Sequence, residues 1–240
     1  MTSVLITGVS GDLGRQLAAH FLRRKCHVVG LDIREPGAIA AEFGPQFQFR
    51  MCDLRRPDEI ESVLSGGDPF DIVINNAGII HSAPLIRIED GKLSGFDFAK
   101  WREVIDVTLN AVFYVSACCA REMVSRAKKG LILNISSICA AGNLGQPAYS
   151  AAKAGVNGLT AALAKELGPL GVRVAALAPG FIDTTSTRDA VAQASLKQIR
   201  QRTPMRRLGK VEEFLGAIDF IVENPFFSGK ILELDGGLSL

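Results

Sequence analysis

The chain has 240 residues, of which 48% are hydrophobic and 22% charged, with a formal net charge of +2. A chain of this length buries a full core without staples, and its interspersed Lys, Arg, Asp and Glu leave no basic footprint for nucleic acid. Five cysteines without CxxC or metal-ligand spacing, no uninterrupted apolar run of about 18 residues and a first stretch, MTSVLITG, without a basic n-region predict a cytoplasmic protein with reduced thiols, no metal, no membrane span and no secretory signal.

The first apolar run, Ser3–Thr7, reads as a strand and passes into TGVSGDLG, Thr7 to Gly14, ahead of a helical pattern over Leu13–Arg24. Strand, glycine loop and helix in one unit are the context in which such a loop cradles a pyrophosphate. Gly8 permits the tight turn, Gly11 the close approach of backbone, and Gly14 close helix–strand packing. The N–H groups of Asp12 and Leu13 then open the helix toward the anion. The second run, His27–Leu31, ends in LDIR. Asp32, with Ile33 beside it, stands about twenty residues past the loop, where an acid accepts hydrogen bonds from ribose hydroxyls and repels a 2′-phosphate. NAD(H) is therefore expected over NADP(H), although Arg15 and Arg34 are near.

The third strand candidate, Phe47–Met51, is followed by Cys52, Asp53 and Leu54. Asp53 reads either as a cap of the adenine pocket or as a turn acid before Arg55-Arg56-Pro57. A helix is expected over Asp58–Leu64, then strand Ile72–Asn75, then Asn76-Ala77-Gly78. Residues Ile80–Phe98 break the rhythm with Pro, Gly and Asp turn signals, and read as a substrate wall or a freely varying surface loop. A long helix, Ala99–Ala127, precedes strand Leu131–Ser136. Helix Ala148–Leu167 precedes strand Val172–Leu177. A second irregular zone, Ile182–Gly209, contains a helical piece over Arg188–Gln201. Helix Val211–Val222 and strand Lys230–Leu234 complete the chain.

The runs are rich in Val, Ile, Leu and Phe with little alternation, as in strands covered on both faces. The β-α rhythm predicts an α/β fold: a Rossmann-type doubly wound parallel sheet of about seven strands with helices on both faces. With no repeat, low-complexity linker or composition break, residues 1–240 read as one domain for both dinucleotide binding and catalysis, carrying 182–209 as a substrate-binding insertion.

Within the helix Ala148–Leu167, Tyr149 and Lys153 are four apart and share a face. A free phenol, with a pKa of about 10, is too weak an acid for ready exchange at neutral pH. An adjacent ammonium favours phenolate, and a shift of about two or three units makes Tyr149 a useful general acid–base. Taken alone, the pair is also an ordinary helix-surface neighbourhood.

These residues resemble the short-chain dehydrogenase/reductases. The likeness covers nearly the whole chain and rests on the glycine loop, Asn75-Asn76-Ala77-Gly78, Ile135-Ser136-Ser137, Tyr149-Ser-Ala-Ala-Lys153, Pro179-Gly180 and Asp235-Gly236-Gly237. GNLGQPAYSAAKAG and APGFIDT are most similar to the single-domain 3-oxoacyl-carrier-protein reductase branch. The resemblance implies Ser137, Tyr149 and Lys153 as catalytic residues. It implies cofactor contacts from Gly8, Gly11, Asp12, Leu13, Gly14, Asp32, Ile33, Cys52, Asp53, Leu54, Asn76, Ala77, Gly78, Tyr149, Lys153, Pro179, Gly180, Ile182 and Thr184. It also implies pairing of subunits through the helices Ala99–Ala127 and Ala148–Leu167, as a dimer or tetramer.

Three departures stand out. Asp12 occupies the place of the usual middle glycine, and the spacing 8, 11, 14 is that of the family's extended members. Thr108 takes the place of an asparagine tied to a helix distortion and a proton-relay water. Asn110, about 200° round the helix, cannot simply substitute for it. Ser137 stands one residue closer to Tyr149 than usual. Counting alone selects Ser136; the strand-end I-S-S motif selects Ser137, which is favoured. The expected activity is direct hydride transfer between the nicotinamide and a small-molecule secondary alcohol or ketone, without a metal. A non-catalytic dinucleotide sensor and a dehydratase or epimerase are the competing readings.

Overall fold

The computed structural model describes residues 1–37, 42–190 and 193–240. Seven parallel strands form one sheet in the order β3-β2-β1-β4-β7-β8-β9. They are β1 Ser3–Thr7, β2 His27–Asp32, β3 Phe47–Met51, β4 Ile72–Asn75, β7 Gly130–Ile135, β8 Val172–Pro179 and β9 Ile231–Leu234. Strand order reverses between β1 and β4, the switch point at which sheets of this kind form a ligand crevice at the carboxyl ends of their strands. β1 pairs with β2 from Ser3↔His27 to Thr7↔Leu31, and with β4 from Val4↔Ile72 to Ile6↔Ile74.

The central strands β1, β2, β4, β7 and β8 are buried on both faces, which explains their unbroken apolar runs, while the edge strands β3 and β9 are only partly covered. On one side, Val4 and Ile6 pack with Leu17 and Phe21 of α1 (Asp12–Arg23). Phe214 and Ile218 of helix Val211–Glu223 complete that layer. On the other side, Leu5 packs with Ile60 of α2 (Pro57–Leu64) and with Val115 and Met123 of the long helix.

That long helix differs from the expected uniform one. It runs as α3 (Phe98–Ile105), a π turn over Asp106–Asn110 and α4 (Ala111–Ser125). Phe98–Ser125 spans 28 residues with a mean hydropathy of 1.4 in its most apolar stretch. By length and composition it suffices to cross a membrane, which a search for unbroken apolar runs does not anticipate; its inner face packs on the sheet.

The first irregular segment contains an antiparallel hairpin, β5 (Ile86–Glu89) and β6 (Lys92–Gly95). Asp90 and Gly91 turn it at φ 49° and 73°. Asp-Gly between alternating residues is a strong hairpin signal that the segment's polar surroundings obscure.

Helix α5 (Pro147–Leu167) carries Tyr149 and Lys153 and packs beside β8. The second irregular segment holds α6 (Thr185–Ala190) and α7 (Gln193–Arg202), and residues 191–192 of the expected helical piece lie outside the described residues. An isolated parallel bridge, Ile182↔Gly209, pinches the segment at its base.

Candidate active site

The glycine loop is fixed by close contacts. Gly8 has φ 68°, and a Cβ there would stand 2.8 Å from Ala77 Cα. A Cβ at Gly14 would fall 2.0 Å from the Gly8 carbonyl oxygen. A Cβ at Gly11 would meet only that oxygen, at 3.4 Å. The Thr7 hydroxyl accepts from the N–H groups of Asn76 and Ala77, both at 3.0 Å, and Asn76 Nδ2 donates to the Thr7 carbonyl. Loop and Asn-Asn-Ala-Gly turn are thereby joined. Gly11, the N-cap of α1, supplies no side chain to the helix start. The first N–H groups of a helix have no internal acceptor, so this opening fits a dinucleotide's phosphates.

Asp32 ends β2 and is buried. Its Oδ2 accepts from the Ser10 N–H at 3.0 Å and its Oδ1 from the Arg34 N–H at 3.1 Å. Asp53 Oδ1 accepts from both the N–H and Nε of Arg55, at 3.0 and 2.9 Å. It is thus a turn acid in the local geometry, and Arg55 holds its carboxyl below the usual range. Ile33 is exposed at this edge. Cys52 and Ile182 bury their side chains in the core, 1% and 4% exposed, leaving only their backbone for a ligand. Burial pushes the Cys52 thiol up to about 11.

Ser137, Tyr149 and Lys153 converge at the end of β7. Ser137 caps a short 3-10 turn, Ile138–Ala141, and its Oγ accepts from the Cys139 N–H at 3.1 Å. Ser136 points elsewhere, donating to Asn157 Oδ1 at 2.6 Å. The Lys153 Nζ donates to the Ile135 carbonyl at 2.6 Å and lies 5.5 Å from the centroid of the Tyr149 ring. A Cβ at Gly78 would stand 3.6 Å from that Nζ and 3.7 Å from Thr108, so the three motifs meet.

The electrostatics correct one expectation. Burial raises the Tyr149 phenol above its ordinary value, and the hydrogen-bonding Ser137 hydroxyl opposes that rise. The Lys153 ammonium lies over the ring face and is engaged with Ile135, so it does not offset the desolvation. Burial brings Lys153 itself down to about 8.

The second irregular segment closes over the glycine loop. Asp12 Oδ2 accepts from both the N–H and the Oγ of Ser186, at 2.5 and 2.7 Å, and Oδ1 pairs with Arg15 at 2.7 Å. Thr184 is buried, and its Oγ1 accepts from the Thr187 N–H at 3.1 Å. Gly180 packs against Asp235, where a Cβ would come 2.9 Å from the Asp235 Cα.

A family model described as short chain dehydrogenase matches residues 2–195. The chain belongs to the short-chain dehydrogenases. It is 34% identical to the 3-oxoacyl-(acyl-carrier-protein) reductase FabG of Escherichia coli (strain K12) over 243 residues, covering 98% of this chain and 96% of that protein. The FabG of Vibrio cholerae serotype O1 is 33% identical, with the same two coverages. Among solved structures, a protein described as a 2-deoxy-d-gluconate 3-dehydrogenase from Agrobacterium tumefaciens, with bound NADP, matches at TM-score 0.87. It is 33% identical, over 98% of this chain and 95% of that one. A 4-hydroxyisoleucine dehydrogenase complexed with NADH matches at TM-score 0.89 and 26% identity, over 99% and 98%.

As a short-chain dehydrogenase, the chain is an oxidoreductase acting on CH–OH groups with a nicotinamide dinucleotide. Two features of this short-chain dehydrogenase lie outside what its motifs announce. Thr108 keeps the helix distortion: fully buried in the π turn, its hydroxyl accepts from the Ile79 N–H at 3.2 Å. Asn110 instead bonds Asp106 across that turn at 2.8 Å. Nothing near Ser186 in sequence indicates a partner 174 positions away. Thr7 had a signal, standing directly before the first glycine of the loop.

Proposed function

We propose that the protein moves hydride between NAD(H) and a small secondary alcohol or ketone, with Tyr149 as the proton donor and acceptor. The observation carrying this reading is the meeting of Ser137, Tyr149 and Lys153 beside Gly78, on the crevice that also contains the open start of α1. When bound, the nicotinamide supplies or accepts hydride at its C4. Every other requirement falls to the chain. Burial keeps Tyr149 protonated at neutral pH, so the phenol can give its proton to the oxygen of a carbonyl substrate. Ser137 hydrogen-bonds that oxygen as charge develops on it. Lys153 retains donors beyond the one used on Ile135, and these suit ribose hydroxyls. Oxidation of an alcohol runs through the same groups in reverse.

NAD(H) is favoured by the Asp32 carboxylate at the ribose position, and Arg15 is already engaged with Asp12 and the Ser10 carbonyl. The solved relatives bind either NADP or NADH, so the preference rests on this chain's own residues. The working form is a cytoplasmic homo-oligomer. An activity screen of alcohols with NAD⁺ and carbonyls with NADH, repeated with the phosphorylated cofactors, tests the reading. Dinucleotide binding with no turnover on any substrate would overturn it in favour of a sensor.

A further inference from the structure

We propose that Asp12 and Ser186 form a clasp holding α6 over the phosphate-binding turn, so that a dinucleotide enters and leaves only when these bonds open. The inference rests on the dinucleotide reading above and concerns the traffic of the cofactor, not the chemistry performed on it.

Asp12 is the first residue of α1, at the opening where phosphates would sit. Its Oδ2 takes both donors of Ser186, the N–H at 2.5 Å and the hydroxyl at 2.7 Å. Arg15 secures the other oxygen and also reaches the Ser10 carbonyl at 2.6 Å, which fixes the carboxylate's direction. The bond to the Ser186 N–H is a cap supplied from another element. Thr184 caps the same helix from within the segment, through the Thr187 N–H. Among the described side chains of α6, Thr185, Ser186 and Arg188 are exposed and Thr187 is half-buried, and Arg188 pairs only within the same segment, with Asp183 at 3.1 Å. Polar contacts at a surface open far more easily than a packed apolar face. The segment is anchored at its base, where the Asp183 N–H donates to the Gly209 carbonyl and the Gly209 N–H to the Phe181 carbonyl. Opening therefore swings α6 about a fixed neck. The aspartate that replaces the usual glycine thus has a partner whose position accounts for it.

Stopped-flow fluorescence with NADH, on the full chain, measures entry and exit directly. Asp12→Ala should raise the exit rate at least about tenfold, the equivalent of about 1.4 kcal/mol, and raise entry as well. Asp12→Asn keeps an acceptor oxygen and should change exit less. Ser186→Pro removes both donors at an early helix position that tolerates proline, without touching the glycine loop. It should match Asp12→Ala, and the double variant should be no faster than either. Exit rates within twofold of wild type in both single variants would overturn the clasp. So would equal effects of Asp12→Ala and Asp12→Asn with Ser186→Pro unchanged, since that pattern depends on the Asp12 charge and not on its bond to Ser186. Failure of the wild type to bind NADH would remove the dinucleotide reading and the clasp together; binding with unaltered rates removes the clasp alone.

Discussion

The Lys153 ammonium lies 5.5 Å from the centroid of the Tyr149 ring and donates a hydrogen bond to the Ile135 carbonyl at 2.6 Å. It is thus anchored to the end of β7, with the phenol ring packed beneath it. This arrangement separates two duties often assigned to such a lysine. Positioning is met by the chain alone; acidification of the phenol needs further positive charge in the crevice.

Replacement of Tyr149 by Phe removes only the hydroxyl. Turnover should fall by about two to four orders of magnitude while NADH affinity changes little. Steady-state kinetics and a fluorescence titration check both halves, and retained turnover would rule out the assignment.

Lys153 also makes a signed prediction about stability. Its folded value is brought from 10.5 to about 8 by burial. Between those values the unfolded chain holds the proton and the native chain does not, so stability attributable to Lys153 rises with pH across that window. Below pH 8 both states are charged and the term is flat. The unfolding free energy of wild type minus that of Lys153→Met should climb by up to about 3 kcal/mol between pH 8 and 10.5. Denaturant melts at a series of pH values measure it, and a flat or falling difference would contradict the burial argument.

Asp32→Ala deletes the carboxylate expected to repel a 2′-phosphate. The ratio of kcat/KM for NADPH to that for NADH should rise at least about tenfold, with Arg34 left to meet the extra phosphate. The same variant leaves the Ser10 N–H without its acceptor and should lose about 1–3 kcal/mol of stability.

Two glycines of the loop should differ sharply. Gly14→Ala sets a Cβ 2.0 Å from a backbone oxygen and should cost about 3 kcal/mol or more. Gly11→Ala meets nothing nearer than 3.4 Å and should cost no more than about 1 kcal/mol. Thermal denaturation of the two variants side by side decides this.

Light scattering should return a multiple of the 25.7 kDa chain mass at micromolar concentration. A mass near that of one chain would contradict the expected oligomer.

Much of this architecture can be read from local patterns. Ile72–Asn75 is a strand with the expected bounds, because a strand covered on both faces leaves a continuous apolar run, and the edge strand Phe47–Met51 keeps its bounds with only one buried residue, Phe47. The glycine loop is equally plain for Gly11 and Gly14, which answer contacts within a few residues, whereas the contact of Gly8 is with the distant Ala77. Other features escape for physical reasons. The π turn at Asp106–Asn110 is a single misplaced hydrogen-bond register, invisible to side-chain periodicity. The direction of the Tyr149 shift depends on how deeply helix α5 is packed, which spacing along the helix does not reveal. The motif favours Ser137 over Ser136, but the partner that engages Ser136, Asn157, stands twenty-one residues away where no local pattern signals it.

The Ile182↔Gly209 bridge has a further implication for how such a chain diversifies. An excursion knotted at one point can gain, lose or exchange residues without shifting the strands on either side. On the proposed reading, mutation there can remodel a substrate wall while Ser137, Tyr149 and Lys153 keep their places. Transplanting residues 183–208 between relatives, with Thr184 and Ser186 retained, should accordingly change selectivity and leave the strands on either side in place.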